Sequence, residues 1–507
     1  MKMPGDFICE FDNPVVSVKQ GKVRGFFTEG LYHFRGIPYA KAKRFEMPEE
    51  ADSWEGIRNA LSYGPICPPS VPSELYEYDV IQAFRYRPAS EDCQTLNIWT
   101  KSINDGTKRP VMFWIHGGAY CWGSTIELNS YEAEGLSRSG DVVVVSINHR
   151  LNIFGFLDLS DYDERFRYSA TVSIADIVAA LRWVKENIAA FGGDPDNVTI
   201  FGQSGGGMKV QNIMQTPAAQ GLYHKAIVQS GALRNDLCMS SEQSKEISRA
   251  IIRELGLEGK DISPIQEIPY QQLLDAYYKV AQEILDVDPT SAFGPLPNEY
   301  YVGKPTDVGF LEETKDIPMI IGSCIAEFAA DMIGKVGESS PEEAKMRLLR
   351  EKYGSAADDV IRSFKELYPE KDLAVALLYD NDFRPATVDL LNLREKTSSA
   401  STYAYQLAYS FKIMGGFPAW HAADLPLIFS SNRYVEAFNE KGALKLADQM
   451  SGAWASFAHT GKPKHDSLPE WKEYTEENGL TMIFDNPCAL RELKDSNFLE
   501  LCIKSTS

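Results

Sequence analysis

Cysteine is scarce: eight residues in 507, with no Cys-x-x-Cys among them and no Cys/His cluster at zinc spacing. A disulfide framework is thereby excluded, and a metal site is not expected. Long apolar runs are also missing. The longest, Val142-Val143-Val144-Val145-Ser146-Ile147, is strand-sized and stops at Asn148-His149-Arg150, far short of the ~20 residues that a membrane span needs. The first ten residues, Met1 to Glu10, lack the apolar core of a secretion signal, so a cytoplasmic location is expected. Positive charge is in deficit, 51 Lys and Arg against 71 Asp and Glu, a formal net charge of −20. That balance argues against nucleic acid or an anionic membrane as partner. No internal repeat, low-complexity tract or flexible linker breaks the chain.

What is present reads as alternating strands and helices. Val15 to Phe27 alternates apolar and polar residues around Gly21 and Gly25, as a small hairpin or meander does. A proline- and serine-rich loop follows over 65–73, and then Thr95 to Trp99 reads as a strand. Pro110 to Ile115, Val142 to Ile147, Val198 to Phe201, Ala226 to Gly231 and Ile317 to Gly322 are further apolar strands. Thr402 to Leu407 reads as the last strand of the large sheet, and Leu444 to Thr460 as a closing helix. Between the strands, Ser173 to Ala190 carries Ile174, Ile177, Leu181, Val184 and Ile188 at helical spacing and ends at Gly192-Gly193-Asp194-Pro195. Such alternation predicts an α/β fold with a large, mostly parallel central sheet flanked by helices. The chain, 1–507, reads as one catalytic unit, with helical insertions near 240–290 and 341–397 forming a lid over the strand ends.

The sheet has one conspicuous corner. Val198-Thr199-Ile200-Phe201 runs into Gly202-Gln203-Ser204-Gly205-Gly206, a Gly-x-Ser-x-Gly motif, and a helix-forming stretch follows. A strand turning sharply into a helix exposes its corner hydroxyl, here that of Ser204, to attack a carbonyl. Serine is a poor nucleophile without a base, a group to orient that base, and donors for the oxyanion. In α/β-hydrolases the chain order is Ser, acid, His. Of the seven histidines, His421, His459 and His465 lie far enough beyond Ser204. His459 ends an amphipathic helix and His465 sits in a charged turn. His421, in a glycine-rich loop just past a strand, is the expected base. Glu327 follows the strand ending at Gly322 and is the expected acid. The small residues of His116-Gly117-Gly118-Ala119 offer backbone N–H groups, and the N–H of Gly205 completes an oxyanion hole with those of Gly118 and Ala119.

These pieces together resemble the type-B carboxylesterases, the family that includes the cholinesterases. The resemblance runs through Phe34-Arg35-Gly36-Ile37-Pro38-Tyr39-Ala40, Glu91-Asp92-Cys93 with Leu96-Asn97-Ile98, the His116-Gly117-Gly118 loop, and Asn148-His149-Arg150-Leu151 with Phe154-Gly155-Phe156-Leu157. It continues through Asn187 to Gly207, the Gly322 to Glu327 turn, His421 with Asp424-Leu425, and Trp454 to Pro463. It implies an α/β-hydrolase fold and a serine carboxylesterase: Ser204 as nucleophile, His421 as general base, Glu327 as orienting acid, and no cofactor or metal. Two alternatives use the same scaffold, an acyltransferase and a non-catalytic cholinesterase-like binding protein. The latter expects a broken triad, which this chain does not have.

Three departures qualify the resemblance. The family usually carries Glu-Ser-Ala where this chain has Gln203-Ser204-Gly205, and the neutral Gln203 weakens any case for choline esters. Ala119 replaces a frequent glycine. Cys67 and Cys93 match a pair that is bridged in secreted relatives, and two neighbouring thiols are expected here. Tyr120, Trp122, Phe328, Phe417 and Trp420 flank the site in sequence and predict an aromatic, apolar pocket for an ester with a hydrophobic portion.

Overall fold

The computed structural model describes residues 7–69, 85, 87–234, 238–285, 288–289, 292–329 and 332–506. The loop read over 65–73 lies outside them from residue 70 on, as do the first six residues. An eleven-stranded sheet is built from β1 (Phe26–Thr28), β2 (Leu31–Pro38), β3 (Thr95–Thr100), β4 (Arg109–Ile115), β5 (Val143–Ile147), β6 (Gly193–Gln203), β7 (Lys225–Gln229), β8 (Met319–Cys324), β9 (Thr402–Leu407), β10 (Leu480–Phe484) and β11 (Ala489–Glu492). Their spatial order is β11-β10-β9-β8-β7-β6-β4-β5-β3-β2-β1. From β5 through β10 every neighbouring pair is parallel, and antiparallel pairs form the margins. Val15–Val18 and Gly21–Arg24 form the expected hairpin beside this sheet.

Both faces of the sheet are covered, which is why its central strands read as unbroken apolar runs. Along β4, Val111, Phe113 and Ile115 enter one core, while Met112 and Trp114 enter the other. Helices α1 (Val172–Asn187), α2 (Gly205–Met214), α3 (Ser241–Glu254), α4 (Tyr270–Ile284), α5 (Glu342–Tyr353), α6 (Ala357–Leu367), α7 (Leu373–Leu378), α8 (Phe383–Thr397) and α9 (Lys441–Thr460) are the principal helices. Of these, α3 and α4 lie within 240–290 and α5 to α8 within 341–397, joined by described stretches that are not α-helical. Among the described residues, no helix is long and apolar enough to cross a membrane.

One expectation is corrected. Thr402–Leu407 is not the last strand of the sheet and α9 does not close the fold, because β10 pairs in parallel with β9 and β11 with β10. Four of the five residues of Leu480–Phe484 are buried, and Phe484 packs on Trp454 of α9 and on Trp471. So short a run is stabilised by tertiary packing more than by its own pattern.

Candidate active site

Ser204 sits at φ 57°, ψ −129°, between β6 and α2, a conformation that costs on the order of 1–3 kcal/mol in an L-residue. Neighbouring contacts hold it there. Its N–H donates to Gln229 O on β7 at 2.9 Å, and Met208 N donates to Ser204 O at 3.0 Å. Gly202 and Gly206 touch backbone to backbone, and Gly206 packs on Ile115 O of β4. A side chain at either glycine would drive α2 off the sheet. The two small residues flanking the serine are therefore a packing requirement.

Glu327 lies just past β8 with no solvent exposure. Its Oε1 accepts from Ser230 Oγ and from Cys324 N, both at 2.6 Å, and its Oε2 lies 2.5 Å from His421 Nδ1. Backbone bonds Ala326 N→Ala419 O (3.0 Å) and His421 N→Glu327 O (2.9 Å) tie the two loops together. His421 Nε2 faces the Gln203 side-chain amide at 3.2 Å, and Ser204 makes no hydrogen bond to it in this structure. The structure thus joins Glu327 and His421 directly and places the residue preceding Ser204 against the free edge of the imidazole. Ser230 was not singled out from sequence. Its place in Gln229-Ser230-Gly231, where a parallel strand ends beside the nucleophile strand, was the available signal.

The third group is a set of backbone donors. Gly118 and Ala119 lie on the turn after β4, and Gly205 opens α2. Among the described residues, none of their three N–H groups is given to a protein acceptor. The donors are adjacent, since a Cβ on Gly205 would stand 2.6 Å from Ala119 N. Ala119 pays for its place with φ 47°. The exchange of small residues at 119 and 205 therefore has a steric logic, and Gly205→Ala should push Ala119 away. We expect roughly tenfold lower kcat on a p-nitrophenyl ester, from overpacking of 1–3 kcal/mol. Adding Ala119→Gly should restore most of the loss. Equal kcat in wild type and Gly205→Ala would show that the loop yields freely.

Buried charge surrounds these groups. Burial, and then the Glu327 carboxylate, pushes Asp424 up to about 6 and Asp380 up to about 7. Burial also pushes Glu127 up to about 7 and pulls the Lys209 ammonium on α2 down to about 7. Asp424 Oδ2 accepts from Gln229 Nε2 (3.0 Å) and Tyr405 Oη (2.9 Å), while Oδ1 has no partner among the described residues. A carboxyl raised in the fold holds its proton more tightly than in the unfolded chain. Its ionisation therefore erodes stability as pH rises from about 4 to about 6, and the full penalty, about 3 kcal/mol, applies above that. Asp424→Asn removes the penalty, so its melting temperature relative to wild type should be higher at pH 8 than at pH 5. A pH-independent difference would show that Asp424 does not titrate in this range.

A cavity of about 320 Å³ borders Ala119, Tyr120 and Gly231. The rest of its wall mixes Met208, Leu233 and Pro305 with Asn212, Arg234, Lys304 and Asp389, so it is largely apolar with charged groups at its margin rather than aromatic. Of the five aromatic residues named from sequence, only Tyr120 lines it. Phe417 and Trp420 are buried and pack with Phe411 and Phe438 behind the His421 loop, so they belong to the core. Trp122 is half-buried against the same core as Tyr120. Phe328 is 56% exposed, its ring 5.6 Å from that of His421 and 5.0 Å from that of Phe383. Cys67 and Cys93 are buried neighbouring thiols, and the contact with Cys67, with burial, holds the Cys93 thiol well above its usual range.

A parallel sheet with a serine at a strand-to-helix corner, and a carboxylate–imidazole pair from later strand ends, defines an α/β-hydrolase. A model of the carboxylesterase family matches residues 12–499, and the chain belongs to that family. It is 33% identical to para-nitrobenzyl esterase of Bacillus subtilis (strain 168), over 95% of this chain and 97% of that one. It is 29% identical to phenmedipham hydrolase of Pseudarthrobacter oxydans, over 93% and 94%. Among solved structures, an esterase from anaerobic Clostridium hathewayi, described as able to hydrolyse aliphatic aromatic polyesters, superposes with a TM-score of 0.93. That match has 42% identity and covers 99% of this chain and all of that one. The protein is a carboxylic ester hydrolase.

Proposed function

We propose that hydrolysis proceeds in two steps through an acyl-enzyme on Ser204. His421 takes the Ser204 proton as the hydroxyl attacks the ester carbonyl, and Glu327 orients the imidazole and stabilises its cation. The N–H groups of Gly118, Ala119 and Gly205 receive the tetrahedral oxyanion. His421 then protonates the departing alcohol, and water activated by the same imidazole releases the acid. The observation that carries this reading is the set of three unclaimed N–H groups gathered beside a strained, partly open serine. The test is covalent trapping with diethyl 4-nitrophenyl phosphate, whose phosphoryl group takes the place of the acyl carbon. Loss of activity with a single diethylphosphoryl adduct on the Ser204 peptide is expected. Full inhibition with the adduct elsewhere would remove Ser204 from the mechanism.

The cavity beside Ala119 is our candidate for the substrate's bulk, with Ala386 and Asp389 of α8 in its wall. The second helical region would then contribute to a lid. Phe328, open beside His421, offers a face on which an aromatic ring can stack. With the similarity to the polyester-active esterase, this favours small esters bearing an aromatic or other hydrophobic portion.

A further inference from the structure

Lys209 lies five residues beyond Ser204 on α2 and has no solvent exposure. Among the described residues no carboxylate is in ion-pair contact with its ammonium. Instead Nζ donates to His116 O at 3.1 Å and to Gly117 O at 3.3 Å, and it stands 5.7 Å from the ring centroid of Tyr120. Burying a charge this way is expensive, and a long apolar side chain could fill the same space. The two carbonyls it holds explain what the charge does. Gly117 O belongs to the peptide group whose N–H is that of Gly118, and His116 O to the peptide group before it. A cation hydrogen-bonded to a carbonyl draws electron density from the amide nitrogen and makes the N–H of that group a stronger donor.

We propose that Lys209 is a positioning residue for the oxyanion hole: its Nζ donates to and clamps the His116 and Gly117 carbonyls, fixing the Gly118 N–H and, while protonated, polarising it. The proposal rests on the oxyanion-hole reading above. Lys209 touches no reacting atom on this account. Its effect appears where negative charge develops, in the transition state, and scarcely in ground-state binding.

The experiment compares wild type, Lys209→Met, Lys209→Gln and Ser204→Ala on p-nitrophenyl butyrate. Inhibition by an alkyl trifluoromethyl ketone, whose hemiketal oxygen occupies the oxyanion position, is measured alongside. Lys209→Met should lower kcat by ~10–100-fold, leave KM within about twofold, and weaken the ketone by a factor similar to the loss in kcat. Lys209→Gln keeps a neutral donor and should recover part of both losses. It also serves should the methionine variant fail to fold, as judged by its thermal melt. A folded Lys209→Met or Lys209→Gln with wild-type kcat and ketone affinity overturns the proposal, as does a loss confined to KM. If Ser204→Ala is inactive in the same series, such a result defeats the Lys209 role alone. If Ser204→Ala keeps wild-type activity, the oxyanion-hole reading falls and the Lys209 role with it.

Discussion

Ser204→Ala should lose p-nitrophenyl butyrate hydrolysis by at least ~10⁴-fold in kcat, with the folded structure unchanged. The hydroxyl is a single atom on a corner held by backbone contacts: Ser204 N to Gln229 O, Met208 N to Ser204 O, and the Gly202–Gly206 approach. None of these uses the side chain, so alanine leaves the corner standing. What remains is binding and the oxyanion donors, which retain a small part of the rate over water. The melting temperature serves as the control. A variant with a wild-type melt and residual activity within tenfold of wild type would mean that another group attacks the ester.

Glu327→Gln should cost nearly as much, ~10³–10⁴-fold in kcat, although it replaces one atom and leaves the packing intact. The reason lies in the hydrogen bonds. Oε1 is fixed as an acceptor by Ser230 Oγ and the Cys324 N–H. A glutamine must put its oxygen there, which leaves its NH₂ at the position of Oε2, facing His421 Nδ1. That nitrogen would then have to accept, and the proton would move to Nε2, so the imidazole could no longer take a proton from Ser204. The pH profile and ¹⁵N shifts of the His421 ring would report the tautomer. A Glu327→Gln variant with kcat within tenfold of wild type would show that the carboxylate merely fills space.

Of the residues proposed for chemistry, Ser204, Glu327 and the Gly118–Ala119 turn were legible because each follows closely on the end of a sheet strand, and His421 because few histidines follow Ser204 in the chain. Strand, turn and small residues recur at Ile115-His116-Gly117, Phe201-Gly202-Gln203-Ser204 and Gly322 to Glu327, and β-branched runs mark what precedes them. The pocket was not legible. Phe417 and Trp420 stand close to His421 in the chain, but their loop turns both rings inward, Phe417 against Trp420 and Trp420 against Phe438, while Phe328, beside Glu327, is outward. Adjacency in sequence says nothing about which side of a loop a ring takes. Lys209 and Asp380 escaped for a related reason: a charged residue in a short helix or loop reads as surface until its neighbours are known. The final strands, β10 and β11, were hidden by their shortness.

The cavity wall has one more implication, for how such an enzyme diversifies. Arg234, Lys304 to Asp307, and Ala386 with Asp389 come from segments beyond α2, none of them on the strand that carries Ser204. Glu327 and His421 are joined to each other by backbone rungs at Ala326–Ala419 and Glu327–His421, which involve none of those segments. On the reading proposed above, part of what the enzyme accepts is therefore written on stretches of polypeptide that carry none of Ser204, Glu327 and His421, although Ala119 and Tyr120 belong to the same wall. Libraries confined to 232–234, 304–307 and 386–389 can search for new ester preferences while the engine is left alone.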